Sequence, residues 1–273
     1  MVIRGMRWIS CWIIACLIVG TAATGNEIGD PVFRETFEVP QENGLYELLI
    51  SKDQLEVVEN QGVHHSRALK TTYAGYERGS KRVTARYRMG ERGLEYTLNY
   101  DVKFDADFQF VKGGKLHGLG PDVPITGGKT MEPEGWSARV TFKEEGTVKS
   151  YVYCQNKDRQ YGVSVYAPDF NFEKDRYYAI SLHVKLNEDP TEDEGFAHVY
   201  IDGKSVIQHD DVQFRADDGE ASLISTFLFS TFHGGHEPHW APRDSQGNYT
   251  DVHAYFDNIA VYRGKRVRSK LGE

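Results

Sequence analysis

Apolar and polar residues alternate strictly over long stretches of this chain, and a period of two fits only a β-strand. Leu94, Tyr96, Leu98, Tyr100, Val102 and Phe104 are apolar, while Glu95, Thr97, Asn99, Asp101 and Lys103 separate them. A strand places those two sets on opposite faces. Tyr178 to Leu186 and Trp136 to Phe142 repeat the pattern. After residue 25 no helical period of useful length appears. Leu223 to Phe232 is almost continuously apolar, as in a strand covered on both faces. Val252 to Tyr262 predicts a late strand. Asp202-Gly203 marks a hairpin turn, and Glu144 to Thr147 marks another. Tyrosine, phenylalanine and glycine are abundant, at 16, 14 and 27 residues, which suits strands and turns. There is no internal repeat, low-complexity tract or linker. The pattern predicts an all-β, single-domain antiparallel β-sandwich or jelly roll.

The first residues follow another rule. Arg4 and Arg7 precede a short apolar run from Trp8 to Val19, and Gly20-Thr21-Ala22-Ala23 supplies small residues. This is the pattern of a secretory signal peptide over residues 1–23, with the folded domain over 24–273. An uncleaved anchor and lipidation at Cys16 are the weaker alternatives. The expected product is secreted or periplasmic, with no membrane association after cleavage. Cleavage would remove Cys11 and Cys16 and leave Cys154 alone, so no internal disulfide could form.

The formal charge of −8 excludes general nucleic-acid binding, which needs a basic surface. Loss of Arg4 and Arg7 would take it to −10. Alternation nevertheless sorts cations onto one face. Arg82, Thr84, Arg86 and Arg88 share a strand face opposite Val83, Ala85, Tyr87 and Met89. These arginines need anions nearby, either carboxylates of a neighbouring strand or an anionic ligand. Ser137, Arg139 and Thr141 likewise share one face, as do Tyr151 and Tyr153. If these strands pair, Arg139 and both tyrosines meet on one surface that can neutralise a carboxylate and move protons. Glu188 to Glu194 is expected to be a solvated acidic loop. Arg263 to Lys270 is expected to be a solvated basic tail without function.

Gly113-Gly114-Lys115-Leu116-His117-Gly118-Leu119 is the most distinctive stretch. It resembles the Gly-Gly-Lys-Leu-Pro-Gly-Leu signature of polysaccharide lyase family 14, the alginate and glucuronan lyases with a β-jelly-roll fold. Tyr100-Asp101-Val102-Lys103-Phe104, Ser137-Ala138-Arg139, Tyr151-Val152-Tyr153, Ser230 to Gly235 with Trp240, and Phe256-Asp257-Asn258 resemble other family motifs in the same order. The resemblance spans about residues 30 to 263. It implies a catalytic set of Lys115, Ser137, Arg139, Tyr151 and Tyr153. The implied reaction is β-elimination in a 1,4-linked polyuronate, giving a 4,5-unsaturated uronate end. Arg139, helped by Lys115, would neutralise the carboxylate. Tyr151, Tyr153 or Lys115 would exchange the protons, and Ser137 would orient the substrate. Arg82, Arg86, Arg88, His117, Thr141, His233 and Trp240 are the expected substrate contacts, with His117 standing where the family has proline.

The partner is therefore expected to be an anionic polysaccharide, and the chain a monomer without cofactor or metal. His233, His236 and His239 invite a zinc reading, but their spacing on a Gly-Pro loop lacks regular ligand geometry. Asn248-Tyr249-Thr250 is a glycosylation sequon. A non-catalytic carbohydrate-binding module is the principal alternative. A retaining glycoside hydrolase would need paired carboxylates on a strand, and no Glu-x-Asp-x-x-Glu pattern lies in one.

Overall fold

The computed structural model describes residue 1 and residues 29–39 and 44–272. The segment read as a signal peptide, with Cys11, Cys16 and the expected cleavage site, lies outside the described residues. In chain order the strands are β1 (Phe33–Glu35), β2 (Leu55–Val58), β3 (Ala68–Tyr76), β4 (Gly79–Ser80), β5 (Val83–Gly93), β6 (Glu95–Phe104), β7 (Gly114–Gly120) and β8 (Ser137–Phe142). They continue with β9 (Thr147–Tyr153), β10 (Tyr166–Asn171), β11 (Tyr177–Lys185), β12 (Gly195–Ile201), β13 (Lys204–Val212), β14 (Ile224–His233) and β15 (Asp251–Arg263). A short α-helix, α1 (Leu45–Ile50), buries Leu45 and Leu49.

Among the described residues these strands form two antiparallel sheets. The larger runs β13-β12-β11-β6-β15-β3-β2, with β1 on β15 and β4 on β3. The smaller runs β10-β9-β8-β7-β14-β5. Their inner faces bury the alternating apolar sets, including Tyr100, Phe104, Trp136, Val140, Phe142, Leu182 and Phe256. The all-β sandwich expected from alternation is the fold observed. β14 lies between β7 and β5 and is buried on both faces, as its continuous apolar run requires. At the β12–β13 hairpin Asp202 and Gly203 both take positive φ, the conformation that matches strand twist.

The outer face of the larger sheet corrects one expectation. Thr97, Asn99 and Asp101 alternate with core residues, yet all three are fully buried. The segment after β15 lies over them. Thr97 Oγ1 donates to the Gly264 carbonyl at 2.6 Å, and Asn99 Nδ2 donates to the Arg266 carbonyl at 3.0 Å. Arg268 Nη2 donates to Asp101 at 2.8 Å, with both side chains buried. The basic tail is therefore no solvated end, because its main chain satisfies the polar face of β6. Glu188, Asp189 and Glu192 to Glu194 are exposed, as expected. Among the described residues no helix is long and apolar enough to cross a membrane.

Candidate active site

The outer face of the smaller sheet carries the sorted cations. Register places Arg139 opposite Tyr151, Ser137 opposite Tyr153 and Thr141 opposite Lys149 across β8 and β9. Across β7 and β8, Lys115 lies opposite Thr141, and Gly118 opposite Arg139. Directly paired residues share a face, so Lys115, Arg139, Lys149, Tyr151 and Tyr153 converge. Gly118 makes room for Arg139: a Cβ there would lie 2.0 Å from the Ala138 carbonyl oxygen and 2.6 Å from Arg139 Cγ.

Lys115 Nζ sits 3.7 Å from the centre of the Tyr151 ring. Burial, followed by the nearby charges of Arg139, Lys149 and Lys143, lowers its ammonium to about 7. Burial also lowers Lys149 to about 8, with help from Lys143. Arg139 is lowered to about 10 by burial, against the raising influence of the two tyrosines. The Tyr151 phenol is pushed well up by burial and by its hydrogen bond with Tyr153, whose hydroxyl is 3.4 Å away. Among the described residues no carboxylate forms an ion pair with Lys115, Arg139, Lys143, Lys149 or Arg86.

The segment between β7 and β8 borders the cluster. The Gly128 N–H donates to the Tyr153 hydroxyl at 2.8 Å. Ser137 Oγ donates to the Ile125 carbonyl at 2.7 Å, and the residue is fully buried, so it anchors this segment. Thr141 is also buried, with its hydroxyl directed to the Lys149 carbonyl at 3.3 Å. Trp240 flanks Lys115 from the other side. A Cβ on Gly234 would stand 3.8 Å from the indole and 4.0 Å from Lys115 Cε, and Lys143 Nζ lies 5.0 Å over the indole.

Four expected substrate contacts are corrected, the buried Thr141 among them. Between the two registers above, β7 advances three residues while β8 advances two. This bulge turns both Leu116 and His117 inward. His117 is fully buried, with ring centres of Tyr100, Phe229 and Phe256 within 4.8 Å, and burial lowers it to about 3. His233 also faces the core, packs against Tyr73 and Phe108, and bonds the Gln109 carbonyl through Nε2 at 2.8 Å. His236 contacts Arg78 and His239 contacts Glu237, so the three histidines do not converge. Arg88 pairs with Asp122, as does Arg92. Arg82 lies over the Phe232 ring at 5.9 Å, and Arg86 opens toward Arg139.

Lys143 and Lys149 were missed at the sequence level. Lys149 carried a signal, because it alternates with Tyr151 and Tyr153 on β9. Lys143 carried none, since it follows β8 at a turn.

Comparison with known proteins places this geometry in context. The family described as Polysaccharide lyase 14 matches residues 50–259. An alginate lyase from Aplysia kurodai superposes with a TM-score of 0.64 at 20% identity, over 86% of this chain and 100% of that one. A variant alginate lyase in complex with an alginate tetrasaccharide gives 0.61 at 22% identity, over 74% and 82%. An endo-β-1,4-glucuronan lyase from the fungus Trichoderma reesei gives 0.58 at 16% identity, over 86% and 96%. No curated protein sequence matches the chain.

Proposed function

Because the chain belongs to the polysaccharide lyase 14 family, we propose that it cleaves 1,4-linked polyuronates, of the alginate or glucuronan kind, by β-elimination. The observation that carries this reading is the cation cluster around the Lys115–Tyr151 contact, which has no carboxylate partner among the described residues. Buried like charges repel, and an anionic ligand relieves them. A polymer with a carboxylate on each sugar is such a ligand.

In this reading Arg139 and Lys149 hold the uronate carboxylate. Neutralising it acidifies the C5 proton. Lys115, with its ammonium lowered to about 7, is available as a neutral amine and takes that proton. Tyr151 stays protonated because its phenol is raised, and it donates to the leaving O4 as the C4–O4 bond breaks. The C5–H electron pair becomes the C4=C5 double bond. The proton then passes from the Lys115 ammonium to the Tyr151 phenolate and resets the site. Tyr153 orients the Tyr151 hydroxyl and ties it to Gly128. Ser137 acts through the segment it anchors.

Residues 1–23 are read as an export signal, which would deliver the domain of residues 24–273 to extracellular or periplasmic polysaccharide. The test is a panel of alginate and glucuronan substrates, followed by ultraviolet absorbance of the unsaturated product. Absorbance should rise with at least one polyuronate. Binding without any rise would favour a non-catalytic module instead.

A further inference from the structure

Beside the catalytic cluster lies a cavity of about 370 Å³, toward the β5 edge of the sheet. That volume falls in the range of about 300–1,000 Å³ for small-molecule sites. Arg139 forms one wall, and Arg86 and Lys52 form the opposite side. Thr84, Thr126 and Ser230 add hydroxyl-bearing residues to its lining, and Leu48 and Leu228 are among the apolar ones. A pyranose ring presents that same mixture of hydroxyls and apolar C–H faces.

Charge is distributed unevenly along β5. Arg88 and Arg92 both pair with Asp122, and Arg92 also reaches Glu220. Arg86, two residues from Arg88 on the same face, has no carboxylate partner among the described residues, and neither does Lys52. Arg139 is nine-tenths buried, and its Nε has no hydrogen-bond partner among the described residues. The cavity is thus lined by cations on two sides and joined to the catalytic cluster through Arg139.

We infer that this cavity is a second uronate subsite, in which Arg86 and Lys52 take the carboxylate of the sugar next to the one held by Arg139. The inference rests on the polyuronate lyase reading and narrows it: cleavage requires charged sugars at two consecutive positions. A neutral sugar in the cavity leaves the charges of Arg86 and Lys52 uncompensated, so chains that alternate uronate with neutral sugar are discriminated against.

The test compares a homopolyuronate with a polymer in which every second sugar is neutral, for the wild type, R86A and R86K. Arg86 has an exposed side chain, so both variants should fold. The wild type should cleave the alternating polymer at least about a hundredfold less efficiently, since each tenfold needs only about 1.4 kcal/mol. R86A should raise KM on the homopolymer about tenfold, with the loss in KM rather than kcat. R86K should recover much of it, and added salt should narrow the gap. Wild-type KM in R86A, or equal cleavage of both polymers by the wild type, overturns the subsite. Calorimetry with a saturated tetrauronate separates this from the lyase reading. Binding without turnover in the wild type removes the lyase reading, and the subsite then stands or falls on whether R86A loses that binding. Neither binding nor turnover overturns both.

Discussion

Lys115 Nζ rests 3.7 Å above the Tyr151 ring, a cation–π contact between an amine lowered to about 7 and a phenol that burial holds protonated. In the proposed mechanism this pair supplies the base and the acid. K115A should remove essentially all unsaturated product. Y151F keeps the ring but loses the proton, and should reduce kcat by about 10²- to 10⁴-fold. Single-turnover absorbance measurements check both.

The rate should be bell-shaped in pH. In the proposed mechanism Lys115 acts as the neutral amine, so activity should rise as pH passes about 7. In the same mechanism Lys149 binds as a cation, and its charge is lost as pH passes about 8. The kcat/KM profile of the free enzyme should therefore peak between these limbs. K149R keeps the charge at high pH and should extend the alkaline limb. A profile unchanged in K149R would separate Lys149 from carboxylate binding.

G118A adds one methyl group and no charge. That methyl would collide with the Ala138 carbonyl and with Arg139 Cγ. Overpacking of this kind costs about 1–3 kcal/mol, and it displaces the guanidinium. KM for polyuronate should rise at least about tenfold, together with a lower melting temperature. Steady-state kinetics and thermal unfolding on the same preparation check this.

Arg268 and Asp101 form an ion pair with both side chains buried. R268M leaves Asp101 buried without its guanidinium, which costs about 3–5 kcal/mol. At about 2–4 °C per kcal/mol the melting temperature should fall by roughly 10 °C. The double variant D101N/R268M should regain much of that loss. Thermal unfolding of the two variants measures the difference.

Pairwise alternation made much of the site legible. It sorted Arg139, Tyr151 and Tyr153 onto one surface, and register then brought Lys115 to them. His117 is misplaced by alternation because a bulge adds a residue to β7, which shifts the face that each later side chain takes. His233 was misplaced because β14 runs through it, two residues short of the turn at Gly235. Arg88 was misassigned because its partner Asp122 is 34 residues away. The tail was read as solvated because polar residues on β6 look like a wet face, whether water or main chain covers them. Local pattern defines which face a side chain takes. It does not define what lies over that face.

The position of β15 carries a consequence for biosynthesis. It pairs with β6 on one side and β3 on the other, and β1 also docks on it. The larger sheet therefore has no centre until residue 263 has been synthesised. Before that, β3 and β6 each present an unpaired edge, which favours aggregation over stable structure. Folding is then a single late event dominated by distant pairings. A chain truncated anywhere before β15 should give no partly active fragment, only unfolded polypeptide.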